Sequence, residues 1–157
     1  TQVLGCIITA DGMDDRDIDR QIQAIYARDN VLIWKFYNCS QMVKIELFKT
    51  YCCNLYLSQL WCNFSRVTYK RINVAYNNIF RSLLFIKRGE SMSQHYMLTG
   101  VNGFKVIVRK AMCSFYKRIM KSENDLIIVI LSSAYFLHYS KMFGAWNKML
   151  FYYGDAT

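Results

Sequence analysis

The sequence predicts a mainly α-helical protein, a thumb-like helical bundle that follows one short N-terminal β-strand. Apolar residues recur every three or four positions along four separate segments, which is the period of a buried helix face. The chain contains no proline, the residue that most strongly breaks helix interiors. A hydrophobic fraction of 54% over 157 residues indicates that the chain buries a core, which excludes disorder throughout.

The strand is predicted from residues 1–9, which are rich in Val, Ile and Thr. A lone strand is not stable because its backbone groups need a neighbouring strand. We therefore expect that it is left over from a sheet whose other strands lie outside this chain. The strand therefore favours the interpretation that the chain is a fragment of a larger protein.

Two helices are predicted between residues 14 and 61. The first begins at Asp14 or Asp15, whose carboxylates suit a helix N-terminus, and ends near Asn38. Its apolar stripe is Ile18, Ile22, Ile25, Leu32 and Phe36. Ser40 caps the second helix, which is expected to continue toward Trp61 with both faces covered, because it carries almost no charge. Its apolar side is Val43, Leu47, Phe48, Tyr51 and Leu55.

A third helix, capped by Ser65, carries the polar pattern of most interest. Its buried stripe is Ile72, Ala75, Ile79 and Leu83, and a second face carries Arg66, Lys70, Asn73, Asn77 and Arg81. Long donors along one face can reach several successive phosphates. Asn77 and Asn78 could instead cap backbone groups or bind water. Lys70 and Arg81 lie opposite the buried stripe, so their removal is expected to leave the fold intact.

The last third of the chain is harder to interpret. A fourth stripe follows Phe104, namely Ile107, Val108, Ala111, Phe115 and Ile119. Residues 91–100 show no clear pattern. Residues 126–137 are apolar; their β-branched start favours a strand and their length favours a helix, and we predict a buried helix. The charge-free stretch 126–140 has 15 residues, fewer than the roughly 20 that span a bilayer.

The positive charge is concentrated in the middle of the chain. Residues 31–121 contain fifteen basic and two acidic side chains, a net charge of +13, whereas residues 1–30 carry −3 and residues 122–157 carry −1. A segregated positive surface attracts phosphate backbones. It is also compatible with the ordinary solvated surface of a basic protein.

The cysteines and histidines do not predict a metal site. The chain has six cysteines without a CxxC pair and two histidines, whereas zinc sites need clustered ligands. His95 is expected to be a surface residue. Free thiols and the absence of a signal peptide predict an intracellular protein, in the nucleus or cytoplasm.

Several short motifs occur in a familiar order. They are Val3–Ile8, Asp14–Gln21, Leu32–Phe36, Cys39-Ser40, Val43-Lys44, Leu47-Phe48-Lys49, Tyr51-Cys52, Leu55-Tyr56, Leu60-Trp61, Val74-Ala75-Tyr76-Asn77-Asn78, Phe80-Arg81 and Ser122-Glu123-Asn124. Together they resemble the end of the palm and the following thumb in reverse transcriptases of LINE-like (non-LTR) retrotransposons. The family usually has a proline near the position occupied here by Ile86-Lys87, so the turn chemistry there is expected to differ.

The resemblance implies a division of the chain and a role for it. Residues 1–12 would be the last palm strand, 13–88 the thumb, 89–140 a connector and 141–157 a tail of unclear origin. The chain would be a nucleic-acid-binding fragment of an RNA-directed DNA polymerase. It would hold the template–primer duplex, an RNA–DNA hybrid, by backbone contacts along the minor groove. Leu4 and Gly5 would support the primer end, and the partners would be the duplex and the missing palm and fingers.

Nine residues are predicted to contact nucleic acid because they are long donors in the basic segment. They are Arg66, Lys70, Arg71, Asn77, Arg81, Lys87, Arg88, Lys110 and Lys117.

The chain lacks the residues for nucleotidyl transfer. That chemistry needs carboxylates that hold two metal ions about 4 Å apart, and the family carries them in an Ala-Asp-Asp palm box. The only Asp pair here, Asp14-Asp15, comes after the palm-like strand and is interpreted as a helix cap. We expect no catalysis and no cofactor in this chain, with Mg²⁺ required only by the missing palm.

A second hypothesis belongs to a different functional class. The chain could be a free-standing helical interaction module that binds a protein partner or an acidic membrane surface. Trp146 and Tyr152-Tyr153 would then serve as exposed aromatic anchors.

Overall fold

The chain forms eight α-helices and a short N-terminal β-hairpin in the part that the computed structural model describes. The description covers the backbone of residues 2–3, 6–7 and 9–153, and the side chains of residues 7 and 9–148. The elements are β1 (Gln2–Val3), β2 (Cys6–Ile7), α1 (Asp15–Lys35), α2 (Gln41–Tyr51), a 3₁₀ turn (Ser58–Leu60), α3 (Arg66–Leu84), α4 (Met92–Thr99), α5 (Phe104–Met120), α6 (Asp125–Ser132), α7 (Ala134–Tyr139) and α8 (Lys141–Tyr153). The mainly α-helical fold is confirmed.

The hairpin occupies the region of the predicted N-terminal strand. β1 and β2 pair antiparallel, with Gln2 opposite Ile7 and Val3 opposite Cys6. Leu4 and Gly5, predicted to support a primer end, lie outside the described residues. The assignment of residues 1–12 to a palm sheet therefore stays a prediction.

The chain divides into two compact units. The first contains Thr1–Tyr56 and Phe64–Ile107, and the second contains Leu57–Asn63 and Val108–Thr157. These boundaries do not coincide with the predicted limits at residues 88 and 140. Residues 89–107, assigned by resemblance to a connector, belong to the same unit as the predicted thumb.

The first unit is built on the packing of α1 against α3. Ile18, Ile25 and Leu32 of α1 are buried, as are Ile72, Ala75, Ile79 and Leu83 of α3, so both predicted stripes form core. Phe48 of α2 packs edge-to-face on Phe80 and Tyr76, with ring centroids 4.9 and 5.2 Å apart. Each fully buried side chain of this size contributes about 1.5–3 kcal/mol to folding.

The predicted cap residues stand at the starts of α1 and α3. Asp14 is the N-cap of α1 and Ser65 the N-cap of α3. Ser65 Oγ accepts a hydrogen bond from the Thr68 N–H at 3.1 Å, which satisfies one of the free donors at the helix start. Asp15 Oδ1 accepts from the Ser65 N–H at 3.0 Å, so the two helix starts are joined.

The second helix is shorter than predicted. It ends at Tyr51, and Leu57 adopts a left-handed conformation with φ of 63° before the 3₁₀ turn. Asn54 Nδ2 donates to the Thr50 carbonyl at 2.9 Å. The amide thus occupies the acceptor that a continuing helix would use, which is how Asn competes with helix formation.

The apolar side predicted for α2 is only partly correct. Phe48 and Leu55 are buried, but Val43 and Tyr51 are exposed. Lys44 is instead buried, at 7% exposure, and its Nζ lies 4.6 Å from the centroid of the Phe85 ring. A long side chain with an aromatic partner can occupy a buried position of a helix.

In the second unit, the predicted tail forms a helix that contributes to the core. Trp146 of α8 is 1% exposed, and its ring packs against Tyr116 at 5.2 Å and Phe136 at 5.9 Å. The expectation that Trp146 is an exposed anchor is therefore wrong, because this ring has aromatic neighbours on two other helices. Lys141 Nζ also donates to Asn63 Oδ1 at 2.6 Å. Tyr152-Tyr153 lie outside the residues whose side chains are described.

The predicted helix over residues 126–137 forms, but as two helices. Ser133 Oγ accepts from the Phe136 N–H at 3.2 Å and caps α7, which separates it from α6. The expectation of burial is wrong for α6, where Leu126 is 74% and Val129 64% exposed. Residues 126–131 are all apolar, and a helix that is apolar all round can bury only part of its surface against one neighbour.

Candidate nucleic-acid interface

A groove between α1 and α3 runs along the surface of the first unit. It consists of two adjoining depressions that share Tyr26 in their walls. The first, here called the basic depression, has a volume of about 460 Å³ and contains Lys70 and Arg71. The second, here called the polar depression, has a volume of about 710 Å³ and contains Asp29, Asn78 and Arg88.

The first half of α3 carries three cations, of which Lys70 and Arg71 line the basic depression. Arg66, Lys70 and Arg71 are all exposed. Arg71 Nη1 lies 3.0 Å from Asp19 Oδ1 of α1, and both side chains of this pair are about half exposed. Such surface pairs contribute little to stability. A phosphate can therefore replace the Asp19 carboxylate at low cost.

Arg81 is hydrogen-bonded to the loop that follows α3. Its guanidinium donates to the carbonyls of Arg88 at 2.6 Å, Glu90 at 2.9 Å and Lys87 at 3.3 Å. Its Nε also donates to Met92 Sδ at 2.9 Å. Arg81 was predicted to contact phosphates, but its donors are used within the protein, so we assign it to holding this loop. The sequence-based expectation that it can be removed without affecting the fold is corrected accordingly.

The anchored loop exposes two of the predicted residues, Lys87 and Arg88. Lys87 N–H donates to Glu90 Oε1 at 3.3 Å, and Glu90 Oε2 lies 2.7 Å from His95 Nε2. The His95 hydrogen bond, with a smaller coulombic contribution, lowers the pKa of Glu90. His95 of α4 thus contacts the loop through Glu90, and Arg88 lines the polar depression.

Asn77 makes a contact within the protein. Its Oδ1 accepts a hydrogen bond from the Tyr96 hydroxyl at 2.7 Å, which joins α3 to α4. This bond joins two side chains. It is therefore neither the backbone cap nor the water contact that the sequence left open for Asn77. A contact of its remaining amide N–H with nucleic acid stays a prediction.

In the second unit, cations cluster on α5 and at Lys121, which follows it. Lys110, Lys117, Arg118 and Lys121 line a shallow depression of about 580 Å³ around Cys113 and Ser114. The positions repeat at helical spacing, so the charges lie on one side of α5. Lys110 and Lys117, both predicted to contact nucleic acid, therefore line the same depression.

Asp29 is the residue of this groove that sequence reasoning missed. It is only 4% exposed, and its Oδ1 has no hydrogen-bond partner among the described residues. Burial raises its pKa to about 6, because the charged carboxylate is poorly solvated there. The signal was present in the sequence, since Asp29 lies in register with Ile25 and Leu32 on the apolar stripe of α1.

Asp14-Asp15 serves the structure of the helix start. Burial would raise the pKa of Asp15, but hydrogen bonds from Ser65 and Thr68 outweigh it and lower this pKa. In the part of the chain that the structure describes, no three His, Cys, Asp or Glu side chains are placed to hold a metal ion. Over the same residues, no helix has the length and apolar character needed to cross a membrane.

Comparisons with protein-family models, with curated proteins and with solved structures find no match to this chain.

Proposed function

We propose that the chain binds nucleic acid through contacts with the phosphate backbone, as part of a reverse transcriptase of the LINE-like (non-LTR) class. In that role the thumb holds a template–primer duplex, and the catalytic carboxylates belong to a palm outside this chain. The motifs between Cys39 and Arg81 support the family assignment by resemblance. The partners are then an RNA–DNA hybrid and the remainder of the polymerase.

The observation that carries the proposal is the exposed cationic surface of α3. Arg66 and Lys70 are one helical turn apart, so their Cα atoms are separated by about 6 Å along the helix axis. They can engage neighbouring phosphates while the opposite side of α3 remains in the core. Arg88 adds a cation in the polar depression, so both depressions of the groove contain basic side chains.

The test is a titration of a labelled RNA–DNA hybrid with the double variant R66A/K70A at several salt concentrations. We expect weaker binding to every sequence alike, and a salt slope that decreases by about 1 for each phosphate that the variant no longer binds. The matched control is K35A/K148A, which also removes two exposed cations but leaves α3 intact. Equal affinity and slope for the parent and R66A/K70A would contradict the proposal.

A second function is favoured by the exposed apolar surface of α6. Leu126, Val129 and Ile130 are each more than half exposed, and surfaces of this kind commonly bind other proteins. The chain would then act as an interaction module, with its cations in a solvated surface. This hypothesis predicts that R66A/K70A binds a hybrid no differently from K35A/K148A.

A further inference from the structure

The polar depression of the first unit contains an unsatisfied acceptor. Asp29 lines it, is 4% exposed, and has an Oδ1 atom that accepts no hydrogen bond from the part of the chain that the structure describes. Buried polar atoms of folded proteins are nearly always paired. A donor supplied by a ligand in the depression would satisfy this carboxyl.

The surroundings of Asp29 restrict what that ligand can be. The amides of Asn30 and Asn78 and the hydroxyl of Ser82 share the walls with the carboxyl, so both donors and acceptors are available. The rings of Tyr26 and Phe85 lie in the same walls and are exposed. A volume of about 710 Å³ exceeds the needs of a metal ion, and a guanidinium in the wall disfavours a cation. These features together fit a flat, hydrogen-bonding ring.

Arg88 supplies the complement to a phosphate. It is exposed and lines the depression, and a guanidinium pairs strongly with phosphate oxygens. Because Arg81 holds the carbonyl of Arg88 at 2.6 Å, the backbone of this residue is anchored. A nucleotide that enters the depression can therefore engage its phosphate and its base at once.

We propose that the polar depression binds an unpaired guanine of a nucleic-acid strand. The inference rests on the proposed function for the backbone contacts that bring the strand to α3. Guanine presents two adjacent N–H donors on its Watson–Crick edge, N1–H and the N2 amino group, which a carboxylate accepts. Its O6 accepts from an asparagine amide, and its ring stacks on an aromatic side chain, as unpaired bases do in RNA recognition.

The test compares short single-stranded RNAs that differ at one position. A labelled ten-nucleotide oligouridine is compared with the same strand carrying one central guanosine, inosine or adenosine. We expect guanosine to be bound at least about fivefold more tightly than uridine, the size of one good base contact. Inosine, which lacks the 2-amino group, should lose most of this preference.

The variant D29N should abolish the guanosine preference, measured as the ratio of its affinities for the guanosine and uridine strands. The matched control is E46Q, which removes an exposed carboxylate of α2 and should retain the preference. Y26L tests stacking, and it should reduce the guanosine preference. Tyr26 is partly exposed, so its removal should not unfold the protein. Thermal unfolding of each variant shows whether it is folded.

The outcomes separate this inference from the proposed function. Weaker binding of all strands by R66A/K70A, with the guanosine preference retained, supports both. Equal binding of guanosine and uridine strands by the parent overturns the guanine site and leaves the phosphate proposal standing. If no strand binds, NMR with 5′-GMP and 5′-UMP decides the site directly. Shifts at Tyr26 and Asn78 caused by GMP alone support it, and equal or absent shifts overturn it.

Discussion

The helices α3 and α6 show two different fates of apolar sequence. In α3, the apolar residues occupy one stripe, and Ile72, Ile79 and Leu83 are each at most 1% exposed. In α6, six consecutive apolar residues surround the whole helix, and Leu126 and Val129 remain mostly exposed. Although α3 has the smaller fraction of apolar residues, its apolar side chains are more completely buried than those of α6.

The difference teaches that segregation of side chains, not total hydrophobicity, determines how much a helix buries. A helix with one apolar stripe fills a single interface completely and keeps its other side for solvent and ligands. In α3 that other side carries Arg66 and Lys70. A helix that is apolar all round leaves a surface that another molecule can cover.

The largest test of this comparison truncates one side chain on each helix. Phe80 of α3 is 0% exposed and packs against Phe48, so F80A should lower the free energy of unfolding by about 3–5 kcal/mol. L126A of α6 should change it by no more than about 0.5 kcal/mol. Urea denaturation measures both. A decrease of several kcal/mol for L126A would mean that α6 is covered in solution.

Sequence reasoning found the fold wherever apolar residues formed one stripe. The stripes of α1, α3 and α5 follow from periodicity, and the start of α3 follows from its cap, because the Ser65 side chain acts within one helical turn. The end of α2 depended on one amide bond, from Asn54 to Thr50. Residues 50–61 carry no charge, and their pattern does not report that bond.

The candidate site was harder to predict than the fold. The exposed cations Arg66, Lys70 and Arg88 could be identified because they need no partner. Arg81 has the same sequence signature, yet its donors are used by three carbonyls of the loop that follows α3. Lys44 was included in the net charge of the basic segment, but it is buried and its Nζ contacts the ring of Phe85. Side-chain partners of this kind depend on loop conformation, which periodicity does not report.

A smaller effect is expected at Asp29, which places a carboxyl on the buried, otherwise apolar stripe of α1. Its pKa is about 6 in the folded protein against a usual 3.8. The folded state therefore keeps its proton where the unfolded chain has released it, and stability declines as the pH rises through this window. The charged groups near Asp29 are Arg28 and, when ionised, Cys52, with Arg81 and Arg88 in the same depression.

We expect D29N to equal the parent in stability near pH 4 and to exceed it by about 1–3 kcal/mol at pH 7. The asparagine carries no charge at either pH, so the penalty of the buried carboxylate is absent. Urea denaturation at both pH values measures the difference. E46Q, which changes an exposed carboxylate, should show no such gain. A D29N variant that is less stable than the parent at pH 7 would mean that Asp29 has a partner inside the protein.

The smallest effect is expected on the polar side of α3, where two cations of the same helix should behave differently. Lys70 is exposed, so K70A should change stability by no more than about 0.5 kcal/mol. R81A removes the donors that hold the loop at Arg88 and Glu90, and should cost about 1–2 kcal/mol. R81K should recover only part of this decrease, because an ammonium cannot reproduce the fork of a guanidinium. Hydrogen exchange of residues 86–92 should accelerate in R81A and stay unchanged in K70A. Equal exchange in both variants would show that Arg81 does not hold the loop, and would return it to the cations available for phosphate.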